Sequence, residues 1–229
     1  MIIDVIIPAF NEEASISRVI DHLPKDKIRH IVVANNGSTD NTRQNSIEAG
    51  AFVVDQKIRG YGIACLTAMA HLEKQEIKPD IIVFVDGDYS DYPEQLPLLT
   101  EPIEKDEADF VVGSRVLGNR QKGALLWQQK TGNAIATFLI RALYGYHFTD
   151  LGPFRAIRYK SLQQLKMQDT NFGWTAEMQV KAAKHKLRCK EVAVNYRKRI
   201  GVSKVSGTLT GSIKAGYKIL FVVFKWAFN

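Results

Sequence analysis

The sequence predicts an α/β fold: a mostly parallel, Rossmann-like central sheet flanked by helices. Ile- and Val-rich runs largely free of charge, helix-compatible stretches alternating with them, and polar clusters directly after several runs all point that way. Strands covered on both faces need continuous apolar side chains rather than an in-out alternation. A regular strand-helix rhythm marks a parallel sheet with helices on each side.

The strand-like runs fall at residues 2–8, 28–34, 51–54, 81–85 and 110–112, with helix-compatible stretches at 14–23, 41–49, 62–74 and 94–103. These make a nucleotide-binding half, residues 1–115. The rhythm then changes: a helix at 130–144, a loop around 150–155, a helix at 175–185 and a strand at 189–196 make an acceptor half, residues 116–207. No internal repeat or Pro/Gly/Ser-rich linker separates the halves, so residues 1–207 are expected to share one core. Residues 208–229 read as a C-terminal amphipathic helix. Lys214, Lys218 and Lys225 fall on one side of it, and Ile219, Leu220, Val223, Phe224 and Trp226 on the others. Such a helix can lie in a membrane interface or dock on its own core.

A chain of 229 residues is long enough for one large α/β domain with a substantial core. Its 45% hydrophobic and 24% charged residues exclude extended disorder. A formal charge of +7 favours anionic partners without choosing among nucleotide phosphates, lipid head groups and nucleic acid. Cys65 and Cys189 stand far apart, outside metal-ligand or redox spacing, so neither a disulfide framework nor a zinc site is expected and a reducing cytoplasm fits. Residues 1–8 read as a strand rather than a signal peptide. The apolar run 219–224 is too short to span a bilayer.

Ligands of open α/β sheets gather at the carboxyl ends of the strands. There the chain places Asn11 and Glu12 after the first run, Asn35 through Asp40 after the second, and Asp86-Gly87-Asp88 after the fourth. Two carboxylates one residue apart on a Gly-containing turn can face a common point, where a hard divalent cation and two phosphates would meet them. Asp-Gly is also an ordinary turn former, and Ser38 through Asp40 also suit a helix cap. Arg59-Gly60-Tyr61-Gly62 offers backbone N–H groups and a cation for phosphate, yet Cys65 stands where a dinucleotide fingerprint needs its third glycine.

Taken in order, the segments 8–13, 36–40, 59–62, 85–88 and 113–115 resemble the motif set of family-two inverting glycosyltransferases. Residues 149–155 and 199–204 make the chain most similar to the branch of dolichol-phosphate mannosyltransferase and polyprenyl-phosphate glycosyltransferases. The resemblance implies a GT-A fold, a nucleoside diphosphate sugar of UDP or GDP type as donor, and Mn²⁺ or Mg²⁺. It implies that Pro8, Phe10 and Glu12 line the base and ribose pocket, that Asp86 lies near ribose or metal, and that Asp88 ligates the metal. Arg115, Lys130, Arg199 and Lys204 become cations facing the diphosphate or an acceptor phosphate. Lys130 replaces an expected Arg and loses its bidentate fork. Asn35-Asn36 replaces a usual acid pair, so an amide faces the base.

The expected activity is inverting, metal-dependent sugar transfer to a polyprenyl phosphate or related cell-envelope acceptor. A sugar-hydroxyl or soluble acceptor is the alternative. A hydroxyl acceptor needs a carboxylate base, for which Asp150 and Glu177 are the candidates; a lipid phosphate is already an anionic nucleophile. The implied site is cytoplasmic, peripheral on the inner face of the membrane or completed by a separate membrane subunit. A nucleotidyltransferase would need a Gly-rich, Arg-containing loop after the first strand, where Pro8-Ala9-Phe10-Asn11 stands. A non-catalytic basic module binding membrane or nucleic acid leaves Asp86 and Asp88 without a role, so no nucleic-acid partner is expected.

Overall fold

The computed structural model describes residues 1–201 and 209–226, the side chains of 209–215 excepted. Seven strands, β1 (Ile3–Ala9), β2 (His30–Asn35), β3 (Phe52–Asp55), β4 (Ile81–Phe84), β5 (Phe110–Ser114), β6 (Arg155–Arg158) and β7 (Cys189–Ala193), form one sheet in the order β3-β2-β1-β4-β6-β5-β7. All neighbours run parallel except β6, which is antiparallel to both β4 and β5. The sheet is therefore mostly parallel, as the sequence predicts.

Alternation along the strands sends side chains into two cores. Val5, Ile7, Val33, Val83 and Val111 meet helices α1 (Ile16–His22) and α4 (Leu96–Glu104) on one face. Ile6, Val32, Phe84 and Phe110 meet α3 (Tyr61–Glu73), α5 (Trp127–Tyr144), α6 (Tyr159–Leu165) and α7 (Trp174–Lys184) on the other. Helix α2 (Thr42–Glu48) links β2 to the edge strand β3, where Phe52 is half exposed. A strand buried on both faces was expected there; an edge position leaves it one neighbour and open sides. Pro8 lies beyond the last β1–β4 rung, Ile6 opposite Phe84, so its missing N–H breaks no bond of that ladder. Asp4, charged and fully buried within β1, accepts from Arg29 Nε at 3.0 Å and from the His30 N–H at 3.2 Å.

Strand β6 and helix α6 are not among the expected elements. Arg155-Ala156-Ile157-Arg158 presents two apolar residues between two arginines, too little for an apolar-run criterion. Pairing on both sides nonetheless makes β6 a central strand. The last helix, α8 (Leu209–Lys225), packs on α5 and α7. Val222 and Val223 enter the main core, Tyr144 O–H donates to the Val223 carbonyl, and Lys218 pairs with Asp169 at 2.9 Å. The helix docks on its own protein by that face, while Tyr217, Phe221 and Phe224 remain outside. Among the described residues no helix is long and apolar enough to cross a membrane.

Candidate active site

A cleft of about 610 Å³ opens at the carboxyl ends of β1, β2 and β4. Pro8, Phe10, Glu12 and Arg59 are among the residues that line it. The Arg59 guanidinium stacks on the Phe10 ring, with Cζ 3.4 Å from the centroid, making a flat cationic and aromatic wall suited to a nucleobase. Asn35 does not line the cleft. As the last residue of β2 it turns sideways, donating from Nδ2 to Asp55 Oδ1 at 2.8 Å and accepting the Ser38 N–H through Oδ1. Asn36 does line the cleft, and it ties the next loop: Nδ2 donates to the Ile58 carbonyl at 2.6 Å and Oδ1 accepts from the Gly60 N–H at 2.8 Å.

The Gly60-Tyr61-Gly62 segment explains itself sterically. A Cβ on Gly62 would lie 1.9 Å from the Asp169 carbonyl oxygen, and one on Gly60 2.2 Å from that of Thr170. The glycines let the 169–173 loop cross the start of α3. Tyr61 between them donates its O–H to Asp86 Oδ1 at 2.9 Å, a partner that no sequence motif reveals.

At the centre, Asp86 and Asp88 both line the cleft. Asp88 Oδ1 accepts the Ser90 N–H at 2.8 Å and the Ser90 hydroxyl, while Oδ2 pairs with Arg199 Nη2. Burial, with Asp88 beside it, pushes the Asp86 carboxyl up to about 7. Arg199 arrives from far along the chain because residues 196–200 are stitched to the 88–91 turn. Arg197 N–H donates to the Ser90 carbonyl, Ile200 N–H to that of Asp88, and the Arg197 guanidinium stacks 3.5 Å from the Tyr89 centroid. The oxygen-only pair Asp86 and Asp88 fits a hard divalent cation, which would relieve the repulsion that raises Asp86. Among the described residues no three His, Cys, Asp or Glu side chains form a metal cage on their own, so the donor phosphates would complete the coordination.

Beyond the acidic pair Arg115 grips Asp150 in a bidentate pair, Nε to Oδ2 at 2.7 Å and Nη2 to Oδ1 at 2.8 Å, and the Arg115 N–H adds a third bond to Oδ2. Arg115 also lines the cleft; Asp150 and Lys130 line a neighbouring cavity of about 390 Å³ instead. Glu177 stands apart from both. It is buried, accepts the N–H groups of Gln168 and Asp169, and pairs with Lys181 at 2.8 Å. Its role as base is therefore not supported by its position. Lys204 lies outside the described residues.

Two residues carry a part that the sequence reading gave no role, Arg155 although it closes the 149–155 motif, and Trp174. Arg155, fully buried at the start of β6, donates to the carbonyls of Leu151, Gly152 and Thr175 and so fixes the 151–153 loop; burial lowers its pKa to about 10. Trp174 lines the cleft and meets Phe84 edge-on with centroids 5.9 Å apart. The motif marks Arg155 without showing which carbonyls it meets, and an aromatic at a helix start carries no spacing signal.

Residues 4–166 match the profile described as Glycosyl transferase family 2. The chain belongs to this family. It is an enzyme of the glycosyltransferase class, and its sheet and helices have the GT-A architecture. An uncharacterized glycosyltransferase of Mycobacterium tuberculosis is 33% identical over 216 residues, covering 93% of this chain and 94% of the relative. A dolichyl-phosphate hexose transferase of Haloferax volcanii is 32% identical over 210 residues, 88% of this chain and 85% of the relative. Among solved structures, glucosyl-3-phosphoglycerate synthase from Mycobacterium tuberculosis, crystallised with Mn²⁺, UDP and glucosyl-3-phosphoglycerate, superposes with a TM-score of 0.76 at 21% identity. That likeness covers 98% of this chain and 79% of that one, and it concerns the fold.

Proposed function

We propose that this family-two transferase moves a sugar, with inversion, from a nucleoside diphosphate sugar of UDP or GDP type to a polyprenyl phosphate or related envelope acceptor. The observation that carries the reading is the fate of the two candidate bases. Asp150 is held by three hydrogen bonds from Arg115, and Glu177 is committed to Lys181 and to backbone N–H groups outside the cleft. A hydroxyl acceptor needs a free base; a phosphate does not.

The cations suit a phosphate. Arg115, Arg120, Lys130 and Arg141 surround the cavity beside the cleft, and among the described residues that line it Asp150, already paired, is the one acid. Val116, Leu117, Leu126, Trp127 and Phe138 are exposed around it, as are Tyr217 and Phe221 on α8. Basic residues among exposed aromatics and aliphatics favour a membrane surface, which supports a peripheral position. The curated relative that acts on dolichyl phosphate by its name supports the same acceptor class.

In this reading Phe10, Arg59 and Pro8 hold the nucleoside. Asp86 and Asp88 would hold Mn²⁺ or Mg²⁺, which when bound would supply positive charge against the departing diphosphate. Arg199 leaves Asp88 and turns to the phosphates, while Arg115 and Lys130 orient the acceptor phosphate on the opposite face of the sugar.

Incubation with a radiolabelled nucleotide sugar and a short-chain polyprenyl phosphate should yield an organic-extractable product. Label found only in water-soluble or polymeric product across a donor panel would sink the lipid reading in favour of a hydroxyl acceptor. Asp88→Asn is expected to abolish Mn²⁺-dependent binding of UDP and GDP, and calorimetry with and without Mn²⁺ checks this.

A further inference from the structure

One part of the cleft lining differs in chemistry from the rest. Gln128 in the first turn of α5, Asn171 in the loop that crosses Gly60 and Gly62, and Trp174 at the start of α7 all line it. Each carries a buried polar atom with no hydrogen-bond partner among the described residues: Gln128 Oε1, Asn171 Oδ1 and Trp174 Nε1. Trp174 is 1% exposed. An indole N–H shut away from water without an acceptor is costly, and native proteins rarely leave one so. Lys218 of the adjacent α8 is bound to Asp169, and Asp169 accepts the Asn171 and Gly173 N–H groups.

A neutral set of one rigid donor and two amides is ill suited to a phosphate and well suited to a polyol. Hydroxyl groups both donate and accept, so they can satisfy Trp174 Nε1 and the two amides together. The position also fits. The Trp174 ring rests against Phe84, the last residue of β4, and Asp86 follows in the same chain turn.

We infer that Trp174, Asn171 and Gln128 form the subsite that reads the hydroxyl groups of the donor hexose, with the Trp174 N–H as its fixed donor. The inference rests on the transferase reading and adds to it the residues that select the sugar. Trp174 is rigid because its ring is packed, so it presents its N–H in one direction. A hexose with an oxygen at that point satisfies it, and one lacking that oxygen leaves the buried N–H unpaired. Discrimination therefore operates on single hydroxyls.

The test compares wild type with Trp174→Phe, which keeps the aromatic packing and removes the N–H. Affinities for UDP and for a panel of UDP-hexoses are measured with Mn²⁺ by calorimetry. The best hexose of the panel is then compared with its monodeoxy analogues. In wild type one deoxy analogue should bind about tenfold more weakly than its parent, the loss of one hydrogen bond. In Trp174→Phe that difference should vanish for the same analogue alone, while UDP affinity stays within twofold of wild type. Asn171→Ala should abolish the penalty of a different deoxy position. Equal loss for every analogue, or a fall in UDP affinity that parallels the fall for UDP-hexoses, would overturn the subsite and leave Trp174 a packing residue. Product formation on polyprenyl phosphate by wild type tests the transferase reading separately, because it does not depend on which hydroxyl Trp174 meets.

Discussion

Asp91 is buried just past Asp88, and neither of its carboxylate oxygens has a hydrogen-bond partner among the described residues. Burial drives its pKa well above the usual carboxylate range, Asp86 and Asp88 add to the rise, and Arg115 offsets part of it. A carboxyl raised in the folded state binds more protons there than in the unfolded chain, so stability falls as pH climbs above the unfolded value. Asp91→Asn, of the same shape, is expected to melt at higher temperature than wild type at pH 7.5. The gain should be roughly 1–3 kcal/mol, and it should shrink to nothing below pH 4 in thermal scans. Tyr61 leads to a second expectation. Its O–H fixes Asp86 Oδ1, so Tyr61→Phe should weaken Mn²⁺ binding about tenfold, read by electron paramagnetic resonance, with the fold intact. Asp86, Asp88, Phe10 and Arg59 were legible because each follows a recognisable strand in a motif of set spacing. Asn35 was misread through strand alternation: one residue of offset turns it toward Asp55 and leaves the cleft to Asn36. Tyr61 and Trp174 act through contacts between distant segments, which spacing along the chain does not encode.

Glycines separate two kinds of element. Gly62 opens α3 under the Asp169 carbonyl, and a methyl group there meets backbone rather than a movable side chain. Gly62→Ala should cost about 3 kcal/mol or more and shift the loop that carries Asn171, detected as a lower melting temperature together with weaker nucleotide binding. Gly132 lies inside α5 with nothing within 4 Å of its absent Cβ. Gly132→Ala should instead stabilise by roughly 0.5–1 kcal/mol through helix propensity, measured by urea titration. Long apolar elements such as β1, β4 and α3 were legible from pattern alone. Strand β6 was not, because its exposed-looking arginines are satisfied by tertiary partners: Arg155 by three carbonyls, Arg158 by Asp106 and Asp109. Helix α8 was legible as a helix with an apolar side and ambiguous in its destination. Val222, Val223 and the Lys218–Asp169 pair, none distinguishable in advance from a membrane-facing stripe, show that one face is docked.

At the scale of the whole molecule, the mostly parallel sheet and its two cores follow from the order of elements, and the part of the site built after β5 does not. Its residues are assembled by the stitching of 196–200 to the 88–91 turn and by Arg155 beneath the 151–153 loop. The antiparallel β6 has one more consequence, in time rather than in space. Strand β5 precedes both of its neighbours in the chain, β6 and β7, and touches neither β1 nor β4 in the sheet. When residue 114 leaves the ribosome, β3-β2-β1-β4 can already be paired, whereas β5 has nothing to pair with and β4 presents an open edge. The acidic turn that follows β4 is thus made early, and Arg199, which pairs with Asp88, comes only after the last strand. Pulse-labelled hydrogen exchange during refolding should show the β1 and β2 amides protected before those of β5, with β5 and β6 gaining protection together.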